Sequence, residues 1–298
     1  MSVHVVGTVA MPTRRSVLQA TGMVATAMAV PAIAQTAQPR MPRLVTVGGA
    51  ITEVVYALGA ESQLVGTDTT SLYPAAALKT PKVGYMRQLS AEGLLSLRPD
   101  VVIGTTEAGP PVVMDQVRSA GVKVELIVAD HTWAEVQRKV QVVGRAAARE
   151  AQARDLQARL DQEWAQVQQT VATAKGRKPR VLFILSHSAS PQVSGTNTAA
   201  DAVIRFAGGI NCMTGFEGYR PMTAESMASA APDCILSSNQ SIEAHGGVEK
   251  FWTRPELLLT PAFKRRALVT MDALLLIGMG PRLPAAVRSV HTQFQSFA

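Results

Sequence analysis

Tyr85 and Arg87 stand two residues apart in the string Gly84-Tyr85-Met86-Arg87. A phenolate oxygen is a hard anionic ligand of the kind ferric iron takes. A free phenol ionises near pH 10, so it needs a neighbouring cation or the metal itself to bind as the anion. A guanidinium two residues on would favour that anion. The alternative is a tyrosine that only packs a loop, and spacing alone leaves both readings open. A second Gly-Tyr pair, Gly218-Tyr219, is followed at once by Arg220. Reactive constellations are missing: the sequence has no G-x-S-x-G elbow, no H-E-x-x-H and no phosphate-binding glycine loop. A binding protein is therefore expected rather than an enzyme, with a periplasmic hydrolase as the remote alternative. Five scattered histidines are too few for a zinc or manganese carrier.

The two Gly-Tyr pairs belong to an internal repeat. Residues 89–103, LSAEGLLSLRPDVVI, return as residues 222–236, MTAESMASAAPDCIL, at a constant offset that superimposes Glu92 on Glu225 and Pro99-Asp100 on Pro232-Asp233. Each copy opens with a Ser or Thr that caps a short helix, with a glutamate in the first turn where the helix dipole favours it. The helix stops before Pro-Asp, and an apolar run then starts a strand.

Strand–helix units surround both copies. Leu44-Val45-Thr46-Val47 reads as a buried strand entering Gly48-Gly49, with a helix over Thr52 to Leu58 closed by Gly59. Val181 to Leu185 opens the second half, and a helix over Thr198 to Phe206 is closed by Gly208-Gly209. Glu53 reads as a structural first-turn acid. Alternation of this kind predicts an α/β fold of two lobes with mainly parallel central sheets. The lobes should span residues 43–130 and 179–298. Between them, residues 131–175 carry apolar positions at spacings of three and four, from Trp133 through Val171. One long helix, or two in line, should join the lobes and limit their hinging.

Thr13-Arg14-Arg15-Ser16 precedes a mildly apolar run ending in Pro31-Ala32-Ile33-Ala34, which reads as a cleaved signal peptide over residues 1–34. The paired arginines suit either the twin-arginine or the general export route. Met1 or Met11 could be the start. Cleavage leaves 264 residues with 27 Lys and Arg against 22 Asp and Glu, a formal charge of +5. The positive charges are scattered, so no nucleic-acid site is expected. Cys212 and Cys234 are expected as two buried free thiols, with a disulfide as the alternative in an oxidising compartment.

Five segments together resemble the helical-backbone class of ABC-importer substrate-binding proteins, which carries cobalamin, siderophores and haem. They are VGGAITEVVYALGA (47–60), VGYMRQLSAEGLLSLRPD (83–100), SGTNTAADAVIRFAGG (194–209), GYRPMTAE (218–225) and LLLIGMGPRLPAAV (274–287). Within that class the Gly-Tyr-Met-Arg-Gln-Leu-Ser-Ala-Glu string is similar to periplasmic haem-binding proteins. The resemblance implies a monomeric periplasmic carrier that takes haem as its transported ligand and hands it to the permease dimer of an ABC importer. An outer-membrane haem receptor system would act upstream. It implies Tyr85 as the iron ligand and Arg87 as its partner. His187 becomes either a second iron ligand or a hydrogen-bonding loop residue, in a loop facing Gly48-Gly49. Tyr73, Arg220 and Arg282 are candidates to receive the haem propionates. Glu92 and Glu225, one per lobe, would dock onto arginines of the two permease subunits. A carrier of cobalamin or an iron–siderophore in the same fold is the alternative.

Overall fold

The computed structural model describes residues 40–186 and 191–297. The expected signal segment and His187 lie outside the described residues.

The first lobe follows the expected alternation: β1 (Leu44–Thr46), α1 (Gly49–Ala57), β2 (Leu64–Thr67), the two-stranded hairpin β3 (Gly84–Tyr85) and β4 (Gln88–Leu89), α2 (Ala91–Ser96), β5 (Val101–Thr105), α3 (Pro111–Ser119) and β6 (Lys123–Ile127). Its main sheet has the order β2-β1-β5-β6, with every pairing parallel. Both faces of that sheet are covered, which is why its central strands read as unbroken apolar runs. Leu44, Val101 and Ile103 enter one core and Val45, Val47 and Val102 the other.

Residues 131–175 differ from the expectation. They form two helices, α4 (Trp133–Ala146) and α5 (Glu150–Thr173), folded back on each other rather than laid in line. The chain reverses at Ala147-Ala148-Arg149, where Ala148 takes φ of 51°. Trp133 stacks on Trp164 with centroids 4.8 Å apart and donates through Nε1 to Asp161 at 2.7 Å. At the other end of the pair, a Cβ on Gly144 would lie 2.4 Å from the Cβ of Ala153, so only glycine allows the helices to approach there. The apolar side chains of α4 pack mainly into the first lobe. The long α5 bridges: Ala153, Leu156 and Leu160 join the first lobe's core, and Val167 the second's, where Val136 of α4 also packs.

The second lobe contains β7 (Arg180–Leu185), β8 (Gln192–Ser194), α6 (Ala199–Phe206), β9 (Ile210–Asn211), β10 (Tyr219–Pro221), α7 (Ala224–Ala230), β11 (Cys234–Ser238), α8 (Asn239–Ala244), α9 (Val248–Phe251), α10 (Pro261–Arg265), β12 (Leu268–Met271), α11 (Ala273–Ile277) and α12 (Leu283–Phe294). Its sheet runs β10-β8-β7-β11-β12, with β9 beside β7. Strands β7, β9, β11 and β12 are parallel, while β8 and β10 extend the sheet in antiparallel fashion. Both expected glycine closures appear, with Gly59 and Gly208 at φ of 63° and 84° just past α1 and α6.

The repeat has a physical basis beyond its helix caps. Ser90 accepts from the Gly93 amide and Thr223 from the Ser226 amide. The aspartates of the two Pro-Asp pairs then tie each repeat to the strand beside it. Asp100 accepts from the Arg43 amide at 2.7 Å, and Asp233 from the Arg180 amide at 2.8 Å. The same two arginines reach back with their side chains to the ends of the preceding helices, Arg43 to the carbonyls of Leu97 and Arg98 and Arg180 to that of Ala230. One fastening is thus used twice.

Candidate functional site

Tyr85 and Arg87 sit on the short hairpin β3–β4, beside the loop that leaves the carboxyl end of β5. Ligands of open α/β sheets bind at such edges. Arg87 donates through Nη1 to the Tyr85 hydroxyl oxygen at 2.9 Å and through Nη2 to Glu107 Oε1 at 3.0 Å. Tyr85 is 39% exposed, so its oxygen is presented rather than buried. Burial pulls the Arg87 guanidinium down, but its bonds to Tyr85 and Glu107 outweigh this and hold its pKa above the ordinary value. The arrangement offers an oxygen ligand backed by a fixed cation. A phenolate there would be charge-compensated before any metal arrived.

The second-lobe tyrosine of the repeat has a different environment. Burial pushes the Tyr219 phenol up to about 12, with hydrogen bonding to Thr198 and Ser194 only partly opposing it. The charges of Glu107 and Arg87 both act on Tyr219, so this phenol belongs to the same neighbourhood. The repeat has therefore produced one presented tyrosine and one half-buried tyrosine whose ionisation is disfavoured. Arg220, beside it, is exposed and lies over the Phe216 ring at 4.6 Å.

Tyr73 and Arg282 form a separate cluster from Tyr85 and Arg87. Arg282 donates through Nε and Nη2 to the two carboxylate oxygens of Glu53, at 2.8 and 2.5 Å, and its guanidinium lies 3.7 Å above the Tyr73 ring. The pair takes up the Nε–Nη2 edge of the guanidinium and does not involve Nη1, so Arg282 is an inter-lobe ion-pair partner, a role the sequence did not show. The reading of Glu53 is corrected. Helix α1 begins at Gly49 rather than Thr52, so Glu53 falls in its second turn and serves as the inter-lobe partner of Arg282. A cavity of about 290 Å³ adjoins this cluster, lined by Tyr56, Tyr73, Leu160, Pro281 and both members of the pair.

Gly48-Gly49 does not open onto a ligand space. Asp68 accepts from the Gly48 amide at 2.9 Å, and a Cβ on Gly49 would meet the Thr70 carbonyl at 2.5 Å and Leu274 at 2.8 Å. The glycine pair lets α1 of the first lobe approach α11 of the second. Nearby, Lys139 of α4 is buried, donating to Glu135 at 2.6 Å and to the Met279 carbonyl at 2.9 Å. Burial pulls the Lys139 ammonium below its ordinary pKa, with Glu135 opposing.

Glu92 and Glu225 occupy the first turns of α2 and α7 and are both exposed. Cys212 and Cys234 are free thiols, both pushed up to about 12 by burial, so the thiolate is suppressed. Sequence reasoning missed Glu107, Tyr219 and Lys139. The Gly-Tyr repeat was a signal for Tyr219. Nothing local to the sequence marked the other two.

The fold and the presented ligand side chain define a two-lobed substrate-binding protein. The chain belongs to the periplasmic binding protein family, whose pattern matches residues 44–275. It is similar to the periplasmic heme-binding protein BhuT, solved in complex with two hemes, at 44% identity and a TM-score of 0.81, covering 86% of this chain and 98% of that one. It is also similar to the periplasmic heme-binding protein RhuT from Roseiflexus sp. RS-1, at 36% identity and a TM-score of 0.81, covering 86% and 99%. A vitamin B12-binding protein of Vibrio vulnificus is 25% identical over 85% of this chain and 90% of its own length. The resemblance read from the sequence therefore holds, and substrate-binding proteins of this family work with ABC-transporter permeases.

Proposed function

We propose that this protein captures haem in the periplasm and delivers it to an ABC importer. The observation carrying this reading is the partly exposed Tyr85, its oxygen 2.9 Å from Arg87 Nη1. Tyrosinate is an established haem ligand, and iron with a neighbouring cation supplies the ionisation. Similarity to haem-binding proteins at 36–44% identity supports the same ligand. Tyr73, Arg220 and Arg282 are the candidates to receive the propionates, Arg220 being exposed and Arg282 already paired with Glu53 along one edge, and His187 stays a candidate second ligand. Docking would proceed through Glu92 and Glu225 onto the two permease subunits, with the cleft opened or competed for on contact. Export uses the signal segment at residues 1–34.

The test is a visible spectrum of the exported form with added hemin. A high-spin ferric spectrum with a tyrosinate charge-transfer band, lost in Tyr85→Ala, is expected. A spectrum identical to free hemin would reject haem. Similarity to vitamin B12-binding proteins makes cobalamin the second reading, and the same sample titrated with cobalamin would then decide it.

A further inference from the structure

Glu107 lies in the loop after β5, 20 residues beyond Arg87, and is the second acceptor for the Arg87 guanidinium. Two backbone bonds fasten its loop to the hairpin without using any side chain. The Gly109 amide donates to the Met86 carbonyl at 2.9 Å, and the Leu89 amide donates to the Gly109 carbonyl at 3.0 Å. The Glu107 amide donates in turn to Thr105 Oγ1 at 3.3 Å, fixing the start of the loop. These bonds hold the main chain of the loop against the hairpin, and Arg87 stands in the turn between β3 and β4. Both side chains are partly exposed, Arg87 at 52% and Glu107 at 41%, so their mutual bond is what places the guanidinium.

A guanidinium is a planar fork, so fixing one edge orients the other. An exposed arginine otherwise spreads over many rotamers, and a site with the donor already placed avoids that ordering cost on binding. We propose that Glu107 is a positioning residue, holding Arg87 in the plane from which it donates to Tyr85. For the haem complex this rests on the reading given above; for the ligand-free protein it stands by itself. The Glu107 charge also acts on Lys139 and on the Tyr219 phenol, but Arg87 is the group it bonds.

Side-chain nitrogen NMR of the arginine-labelled, ligand-free protein reads this hold directly. A guanidinium fixed on two sides rotates slowly about Nε–Cζ and gives separate Nη signals, assigned to Arg87 by their loss in Arg87→Lys. Separate signals are expected in the wild type and averaged ones in Glu107→Ala. Averaged signals in the wild type, or separate ones persisting in Glu107→Ala, would overturn the proposal. With hemin, Glu107→Ala should weaken binding by up to about fivefold, the range of an exposed ion pair. It should have no further effect in an Arg87→Ala background, and an equal effect in both backgrounds would instead mark an independent structural role. A wild type that binds no hemin would remove the haem reading while leaving the NMR result to decide Glu107.

Discussion

Glu53 of the first lobe and Arg282 of the second meet through two parallel hydrogen bonds although they are 229 residues apart in the chain. Glu53 is 4% exposed, and burial raises its pKa despite the pull of Arg282, so the pair only partly offsets the cost of removing the carboxylate from water. Arg282→Ala should therefore destabilise the protein by about 3 kcal/mol, the low end for breaking a buried pair because Arg282 keeps some solvent. Replacing both, as Glu53→Leu with Arg282→Met, should restore most of that loss. Chemical denaturation of the three variants measures it, and a double variant no better than Arg282→Ala would contradict the account.

Asp233 makes the opposite prediction with pH. Burial opposes its ionisation, but the Arg177 side chain at 2.6 Å and the Arg180 amide at 2.8 Å outweigh it, so the folded-state pKa is lowered. A lowered carboxyl pKa contributes stability above the unfolded value, near 3.9, that is lost as pH falls through the folded value. Asp233→Asn should cost about 1–2 kcal/mol at neutral pH. The difference from wild type should shrink from below about pH 4 and close in strong acid. Parallel denaturation series at several pH values would show whether the gap closes.

How much was legible in the sequence follows from the range of each interaction. Helix caps and glycine closures act within a few residues, so the sequence displayed them, and Tyr85 with Arg87 was visible for the same reason. The Pro-Asp pairs were visible as helix stops, but their bonds to Arg43 and Arg180 span more than 50 residues and were not. Glu107 is brought to Arg87 only by the β5 loop folding onto the hairpin. Arg282 carried no mark that it would pair with a helix glutamate in the other lobe. The long joining helix was legible, but the fold-back of α4 on α5 was not, because apolar spacing is the same for a straight helix and a folded pair. The reversal uses Ala148 rather than a glycine or proline, and the one glycine present, Gly144, serves helix contact instead.

That contact gives a direct test of the folded connector. Alanine normally improves on glycine inside a helix by about 1 kcal/mol. Here the added Cβ would fall 2.4 Å from Ala153, so α4 and α5 must shift apart. Gly144→Ala should destabilise by about 1–3 kcal/mol, as overpacking does. Gly144→Ala combined with Ala153→Gly should recover much of it. Thermal melts would expose a straight connector at once, since there the single substitution should stabilise.

Tyr219 should not behave as a second Tyr85. Burial raises its phenol to about 12 and Thr198 and Ser194 bond it, so Tyr219 would cost more to ionise on iron than an ordinary phenol. Tyr219→Phe should leave the hemin charge-transfer band in place, whereas Tyr85→Phe should abolish it. Ultraviolet titration of the folded protein should show no Tyr219 contribution below about pH 11. Loss of the band in Tyr219→Phe would mean that the second lobe supplies the ligand.

The last prediction concerns the two exposed glutamates. Glu92 and Glu225 sit at equivalent first turns of repeated helices, so a partner with twofold symmetry can meet both with the same surface. As dipole-stabilising acids they contribute only about 0.3–1 kcal/mol each. Reversing one charge, Glu92→Lys or Glu225→Lys, should thus lower the melting temperature by a few degrees at most and leave hemin binding intact. If docking is as proposed, transport should respond far more, because each lysine would then face a permease cation. Uptake into permease-containing vesicles should fall sharply with either single variant and be abolished with both. Normal uptake by the double variant, with a normal hemin spectrum, would show that the glutamates only cap their helices and that docking uses another surface.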